Sequence, residues 1–156
     1  MADLVESPTN SFMLEKNFQS YMTHSFREAG GFLYKIPDCG FDRKPFDCCG
    51  VYKGKPIAME LKWLTSPKAF PMTRFEDHQL EGLKEWWLAG GWAALVIGVD
   101  YGRSDKRLYI WKNEELLGLE MRKREKRNIL KKEFNALPYI LMKNQKIDIE
   151  RLTLIM

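Results

Sequence analysis

Apolar and polar positions alternate along this chain in two rhythms, and the changes of rhythm mark its elements. In the first stretch Phe18 and Met22 fall on one helical stripe, and Gly30-Gly31 closes it. Cap chemistry for this helix is available at Ser7-Pro8 or Asn10-Ser11. Runs that suit strands follow at 31–37, 46–52 and 56–63, the last two joined by Lys53-Gly54 as a tight hairpin. Thr73 and Glu76 have the spacing of a capping box, which opens a second helix that stops at Gly90-Gly91. The unbroken apolar run 92–99 fits a central strand covered on both faces, and 107–111 is a further strand. Asn113, with Glu114 and Glu115 behind it, caps a third helix that carries a basic run. The order α, β-meander, α, β, β, α predicts an α/β fold. Its mixed β-sheet is flanked by α-helices, in one domain over residues 1–156.

Some polar residues break this pattern. Side chains alternate across a strand, so Ile57, Met59, Leu61 and Trp63 share one face and Ala58, Glu60 and Lys62 the other. A carboxylate and an ammonium thus stand side by side on a strand that should be buried, close to wherever the preceding strand places Asp47. On an exposed face they would form an ordinary surface ion pair. On the first helix, Glu15 lies beside the stripe of Phe18 and Met22, and Gln79 sits between Phe75 and Leu83 on the second. Four inward polar groups on elements that can converge predict a site. The chemistry that needs such a set is metal-assisted phosphodiester hydrolysis. Two carboxylates hold a hard cation such as Mg²⁺, and a lysine orients the attacking water and the phosphate.

Composition narrows the setting. Of 156 residues, 45% are hydrophobic, enough for one substantial core. No apolar run approaches the roughly 20 residues that span a bilayer, and the start lacks the features of a signal peptide. The expectation is a cytoplasmic protein with no membrane partner. Cys39, Cys48 and Cys49 have no CxxC spacing and are expected to be reduced thiols. The formal charge of +4 is concentrated: Glu120 to Glu133 holds seven basic and three acidic residues, leaving 18 of each sign elsewhere. Such a run suits either a polyanion partner or a solvated helix face.

Asp47 followed by Glu60-Leu61-Lys62 resembles the PD-(D/E)xK nuclease superfamily, with Pro45-Phe46-Asp47 as its first half-motif. The stretches DCCGVYKGKPIAMELKW, AFPMTRFEDHQ and GGWAALVIGVD, in that order, resemble the RecU-type Holliday junction resolvases of bacteria or their phages. The likeness runs through roughly residues 12–111. It implies a restriction-endonuclease-like core with Asp47, Glu60 and the Leu61 main-chain carbonyl as ligands of Mg²⁺ or Mn²⁺. Lys62 would serve the attacking water, Glu15 would support the metal, and Gln79 would orient the lysine or a phosphate. Lys35, Arg43, Lys44, Lys53, Lys55, Lys68, Arg74 and His78 surround the site in sequence and are expected at the DNA. The implied protein is a homodimeric endonuclease resolving four-way junction DNA. The alternative is another PD-(D/E)xK endonuclease acting on flap, single-stranded or specific duplex DNA. The family carries a longer stalk ahead of its first aspartate. Here only Asp38 to Lys44 fills that place, with Arg43 and Lys44 as a shortened remnant.

Overall fold

The computed structural model describes residues 11–38 and 43–156. The first helical stripe forms α1 (Ser11–Glu28). The cap candidates at Ser7, Pro8 and Asn10, and the thiol of Cys39, lie outside the described residues. The helix closes with the Gly31 N–H donating to the Phe26 carbonyl at 2.8 Å, the six-to-one bond of a Schellman end. Strands β1 (Phe32–Lys35), β2 (Cys48–Tyr52) and β3 (Lys55–Leu64) make the meander. Lys53 and Gly54, with φ of 48° and 79°, form the two-residue turn between β2 and β3.

Helix α2 (Asp77–Leu88) carries the chain across to β4 (Trp92–Asp100), which pairs with β3 in parallel. Every other strand pair is antiparallel. The capping box that opens α2 is Glu76 with Gln79, not Thr73 with Glu76: a 3₁₀ turn over Met72–Arg74 displaces the start by one turn. Strand β5 (Lys106–Lys112) leads to α3 (Glu115–Arg124). Asn113 has a positive φ of 47°, and its side chain turns back to accept from the Ala93 N–H at 3.0 Å. It staples β5 to β4 instead of capping α3. The last quarter of the chain shows weak periodicity, yet it adds α4 (Lys131–Asn135), β6 (Ile140–Lys143), β7 (Lys146–Ile147) and α5 (Ile149–Ile155).

The seven strands of the described residues lie in chain order across one sheet. One face packs α1 and α5 on Ile57, Met59, Leu61, Trp63, Ala94 and Val96. The other packs α2, α3 and α4 on Ala58, Leu64, Leu95, Ile97 and Tyr109. Strand β4 is therefore apolar on both faces, as its unbroken run predicts.

Beyond Met59, strand β2 no longer accompanies β3. A strand edge so exposed needs new partners for its N–H groups, and two carboxylates provide them. The Leu61 N–H donates to Asp47 Oδ2 at 2.8 Å, and the Trp63 N–H donates to Glu15 Oε1 at 3.2 Å. The gap where β2 leaves β3 is the feature around which the site forms.

Candidate active site

Asp47 directly precedes β2. Its N–H donates to the Met59 carbonyl at 3.1 Å, so the register Cys48↔Met59 continues to place Asp47 opposite Glu60 on the same face. Glu60 is 1% exposed, and Asp47 and Lys62 are also buried. Lys62 Nζ is 3.3 Å from Glu60 Oε1, whereas Glu60 Oε2 is buried without a hydrogen-bond partner. Burial first, and then the neighbouring Asp47 charge, push the Glu60 carboxyl well above the usual carboxylate range against the pull of Lys62.

A cavity of about 290 Å³ opens over these groups, lined in part by Asp47, Glu60, Lys62, Glu15, Gln19 and Gln79. The donor set fits a hard cation. Its two facing carboxylates include an orphaned buried oxygen that hydrogen bonding within the protein leaves unsatisfied. The main chain adds to the set. Along the free edge of β3, the Met59 carbonyl accepts from Asp47 and the Trp63 carbonyl from Arg74, and the strand pleat aims the Leu61 carbonyl into the same gap between them. Among the described residues no three His, Cys, Asp or Glu side chains form a metal cluster.

Glu15 reaches the cavity wall, but its Oε1 accepts from both Arg74 Nη2 and the Trp63 N–H. The carboxylates facing each other across the gap are thus two, not three. Gln79 lines the cavity with its Oε1 accepting the Glu76 N–H at 2.9 Å, so part of its polar capacity closes the start of α2. His78 is outside the cavity lining, with Nδ1 3.2 Å from Glu76 Oε2.

The basic residues expected at DNA divide into two groups. Arg74 and Lys44 turn inward: Arg74 bonds Glu15 and the Trp63 carbonyl, and Lys44 lies 3.3 Å from Asp47 Oδ1. Burial works against the Lys44 charge, but Asp47 and Asp38 outweigh it and hold the ammonium above its ordinary pKa. Lys35 is half-buried at the cavity rim, while Arg43, Lys53, Lys55 and Lys68 are exposed.

The basic run of α3 is neither a plain solvated face nor a free cationic stripe. Arg122 forks onto Glu133, Lys123 bonds the Met72 and Phe75 carbonyls at the turn before α2, Arg124 pairs with Glu120, and Arg127 with Glu125. Much of its charge is spent on internal contacts.

Gln19 escaped the sequence reading. It sits one turn beyond Glu15, is 7% exposed, lines the cavity, and leaves its Oε1 without a partner. The i, i+4 spacing from Glu15 was its only signal. A buried unsatisfied amide costs folding free energy of about 1–3 kcal/mol. Gln19→Met is therefore expected to raise the melting temperature of the metal-free protein and to lower its cleavage rate. An unchanged rate with a higher melting temperature would make Gln19 a packing fault without a role.

A sequence profile of the Recombination protein U family, RecU, matches residues 39–156. The chain belongs to the RecU family. Among curated relatives, the Holliday junction resolvase RecU of Bacillus subtilis (strain 168) is 33% identical over 76 residues, covering 46% of this chain and 37% of that protein. The RecU of Bacillus licheniformis is 32% identical over 76 residues, covering 46% and 38%. The matched stretch thus spans little more than a third of these relatives' length. Of solved structures, Hjc from Archaeoglobus fulgidus, a Holliday junction resolvase from an archaeal hyperthermophile, superposes with a TM-score of 0.52 at 16% identity, covering 80% of this chain and 94% of that one. The chain therefore shares that structure's fold, a restriction-endonuclease-like mixed sheet between helical layers. Among its described residues no helix is long and apolar enough to cross a membrane.

Proposed function

We propose that this RecU-family chain is a divalent-cation-dependent endodeoxyribonuclease, one nuclease domain over residues 1–156, that resolves four-way DNA junctions by paired phosphodiester hydrolysis. The observation that carries the reading is the pair of buried carboxylates Asp47 and Glu60, with Glu60 Oε2 left without a partner. Two buried carboxylates placed together cost stability, and a cation with oxygen ligands reverses that cost. Asp47, Glu60 and the Leu61 carbonyl would hold Mg²⁺ or Mn²⁺. Bound there, the cation supplies a water of lowered pKa and neutralises charge on the phosphoryl oxygens. Lys62, held beside Glu60 Oε1, orients the attacking water and the scissile phosphate. Glu15 and Arg74 satisfy the free edge of β3 and so fix Leu61 and Lys62 in place. Gln79 positions a phosphate or Lys62 from the other wall.

Lys35, Arg43, Lys53, Lys55 and Lys68, with His78, supply phosphate contacts, which give affinity without reading bases. The Bacillus relatives are named Holliday junction resolvases, which supports a four-way junction as the substrate. Paired cuts call for two sites related by a two-fold axis. Trp86 packs edge-on against Phe46, and Trp92 lies under the Lys55 ammonium. Exposed apolar area lies instead on the outer strands, where Phe32 and Tyr34 on β1 stand with Val51 of β2. A second copy of the chain is the partner we assign to that surface.

Sedimentation of the free protein, with strand-by-strand mapping of cuts on four-way, flap, splayed and linear DNA with and without Mg²⁺, tests this reading. The expected result is a dimer that nicks opposing strands of the junction at symmetric positions only when metal is present. A monomer that nicks linear duplex as readily as a junction overturns it.

A further inference from the structure

The connection from β1 to Asp47 places Lys44 inside the site. Its Nζ lies 3.3 Å from Asp47 Oδ1, 3.1 Å from Asp38 Oδ1 and 3.4 Å from the Ile36 carbonyl oxygen, with the side chain 17% exposed. The other Asp47 oxygen, Oδ2, accepts the Leu61 N–H at 2.8 Å. Both oxygens of Asp47 are thus engaged, and an ammonium holds the one not already taken by the strand edge. Glu60 differs, because Lys62 engages Oε1 and leaves Oε2 without a partner. A hard cation that ligates both carboxylates therefore meets a vacant oxygen on Glu60 and a resident positive charge on Asp47.

From these contacts we infer that Lys44 is an exchangeable counter-cation: it neutralises Asp47 in the metal-free protein and must leave Asp47 Oδ1 when the divalent cation binds. The inference rests on the metal-dependent reading above. Two cations cannot share one carboxylate oxygen at contact distance without strong repulsion, which the buried site screens poorly. Lys44 has somewhere to go. Asp38, at the mouth of the cavity with a side chain 72% exposed, already shares its ammonium. Sliding toward Asp38 keeps Lys44 paired and carries its charge to the rim, where a phosphate backbone would pass. Metal loading is then an exchange of one cation for another. The chain tunes its metal requirement through Lys44 without altering a ligand.

The test is calorimetric titration of Mn²⁺ into the full chain and its variants, with thermal melts of each metal-free protein. Lys44→Met is expected to bind Mn²⁺ at least about tenfold tighter and to melt at a lower temperature without metal, the gap closing as Mn²⁺ saturates. Asp38→Asn removes the alternative seat from an exposed position, and it is expected to act in the opposite direction, weakening Mn²⁺ binding several-fold. Lys131→Met, which deletes the same charge on α4, should alter neither quantity. Affinity for Mn²⁺ that is unchanged or weaker in Lys44→Met overturns the exchange while leaving the metal site intact. If Lys44→Met does not fold, the sign of the Asp38→Asn effect decides: weaker binding supports the exchange, and equal or tighter binding overturns it. Absence of binding heat from the unaltered chain overturns the metal-dependent reading and the exchange with it.

Discussion

Glu60→Gln is expected to reduce strand cleavage by roughly a thousandfold or more and, in the same protein, to raise the metal-free melting temperature. The two effects share a cause. Glu60 is 1% exposed with one oxygen unpartnered, and burial and the Asp47 charge together push its carboxyl well above the ordinary range. A carboxyl whose pKa is higher in the folded than in the unfolded chain contributes its stability at low pH. That contribution is lost as pH rises from the ordinary carboxylate range through the raised folded value. The metal-free protein should therefore lose stability over that window, and Gln, neutral at every pH, should flatten the curve. Divalent cation should restore the unaltered protein, because binding to the charged form stabilises by mass action. It should do little for Glu60→Gln. Melts across pH with and without Mg²⁺, beside a cleavage assay, read all three. A melting curve for the unaltered chain that is flat in pH would remove the buried-carboxylate premise. Asp47→Asn and Lys62→Ala are expected to be comparably inactive, and their losses should not add to that of Glu60→Gln, since the groups act as one unit.

Gly82→Ala is the second large effect, from a residue with no polar chemistry. Gly82 lies in α2, and a Cβ there would sit 2.5 Å from Pro45 Cβ and 2.7 Å from the Pro45 carbonyl oxygen. Backbone cannot yield as a flexible side-chain end can, so α2 and the Pro45-Phe46-Asp47 segment must move apart. That segment sets Asp47 through the N–H bond to the Met59 carbonyl and the Oδ2 bond to Leu61. Overpacking of this kind costs about 1–3 kcal/mol. Displacing Asp47 by even part of an ångström is expected to cut cleavage about a hundredfold where the protein is still folded. Gly118→Ala on α3 is the control, because nothing lies within 4 Å of its added Cβ. It should be stabilising by about 0.5–1 kcal/mol, with activity unchanged. A Gly82→Ala protein that cuts at the normal rate would show that α2 can shift without disturbing Asp47.

The sequence by itself determined the elements whose signals are local. The strand period put Glu60 and Lys62 on one face, the unbroken run of β4 announced a strand covered twice, and Lys53-Gly54 fixed the hairpin. Its motif order also carried the family. Local signals misplaced the caps, because Thr73, Glu76 and Asn113 each had suitable chemistry and only the packed chain selected among their partners. The C-terminal strands were illegible for a related reason: β6 and β7 are short, β6 holds by pairing to the edge already built by β5, and β7 by pairing to β6.

Around the cavity, the sequence singled out Glu15, Asp47, Glu60, Lys62 and Gln79 as inward residues, but not Gln19 and not the partners each would find. Arg74 and Glu15 are 59 positions apart, and Asp47 and Leu61 are 14 apart. What brings each pair together is the separation of β2 from β3 beyond Met59, which leaves backbone N–H groups that must find acceptors. That demand drew in two carboxylates and turned Arg74 inward. The path of the β1–β2 connection set Lys44 on Asp47, and the approach of α1 brought Gln19 to the cavity. Period and capping act over a few residues and can be read from the chain. The choice of partner for a buried charge depends on which groups the whole fold has desolvated, and only the tertiary structure decides that.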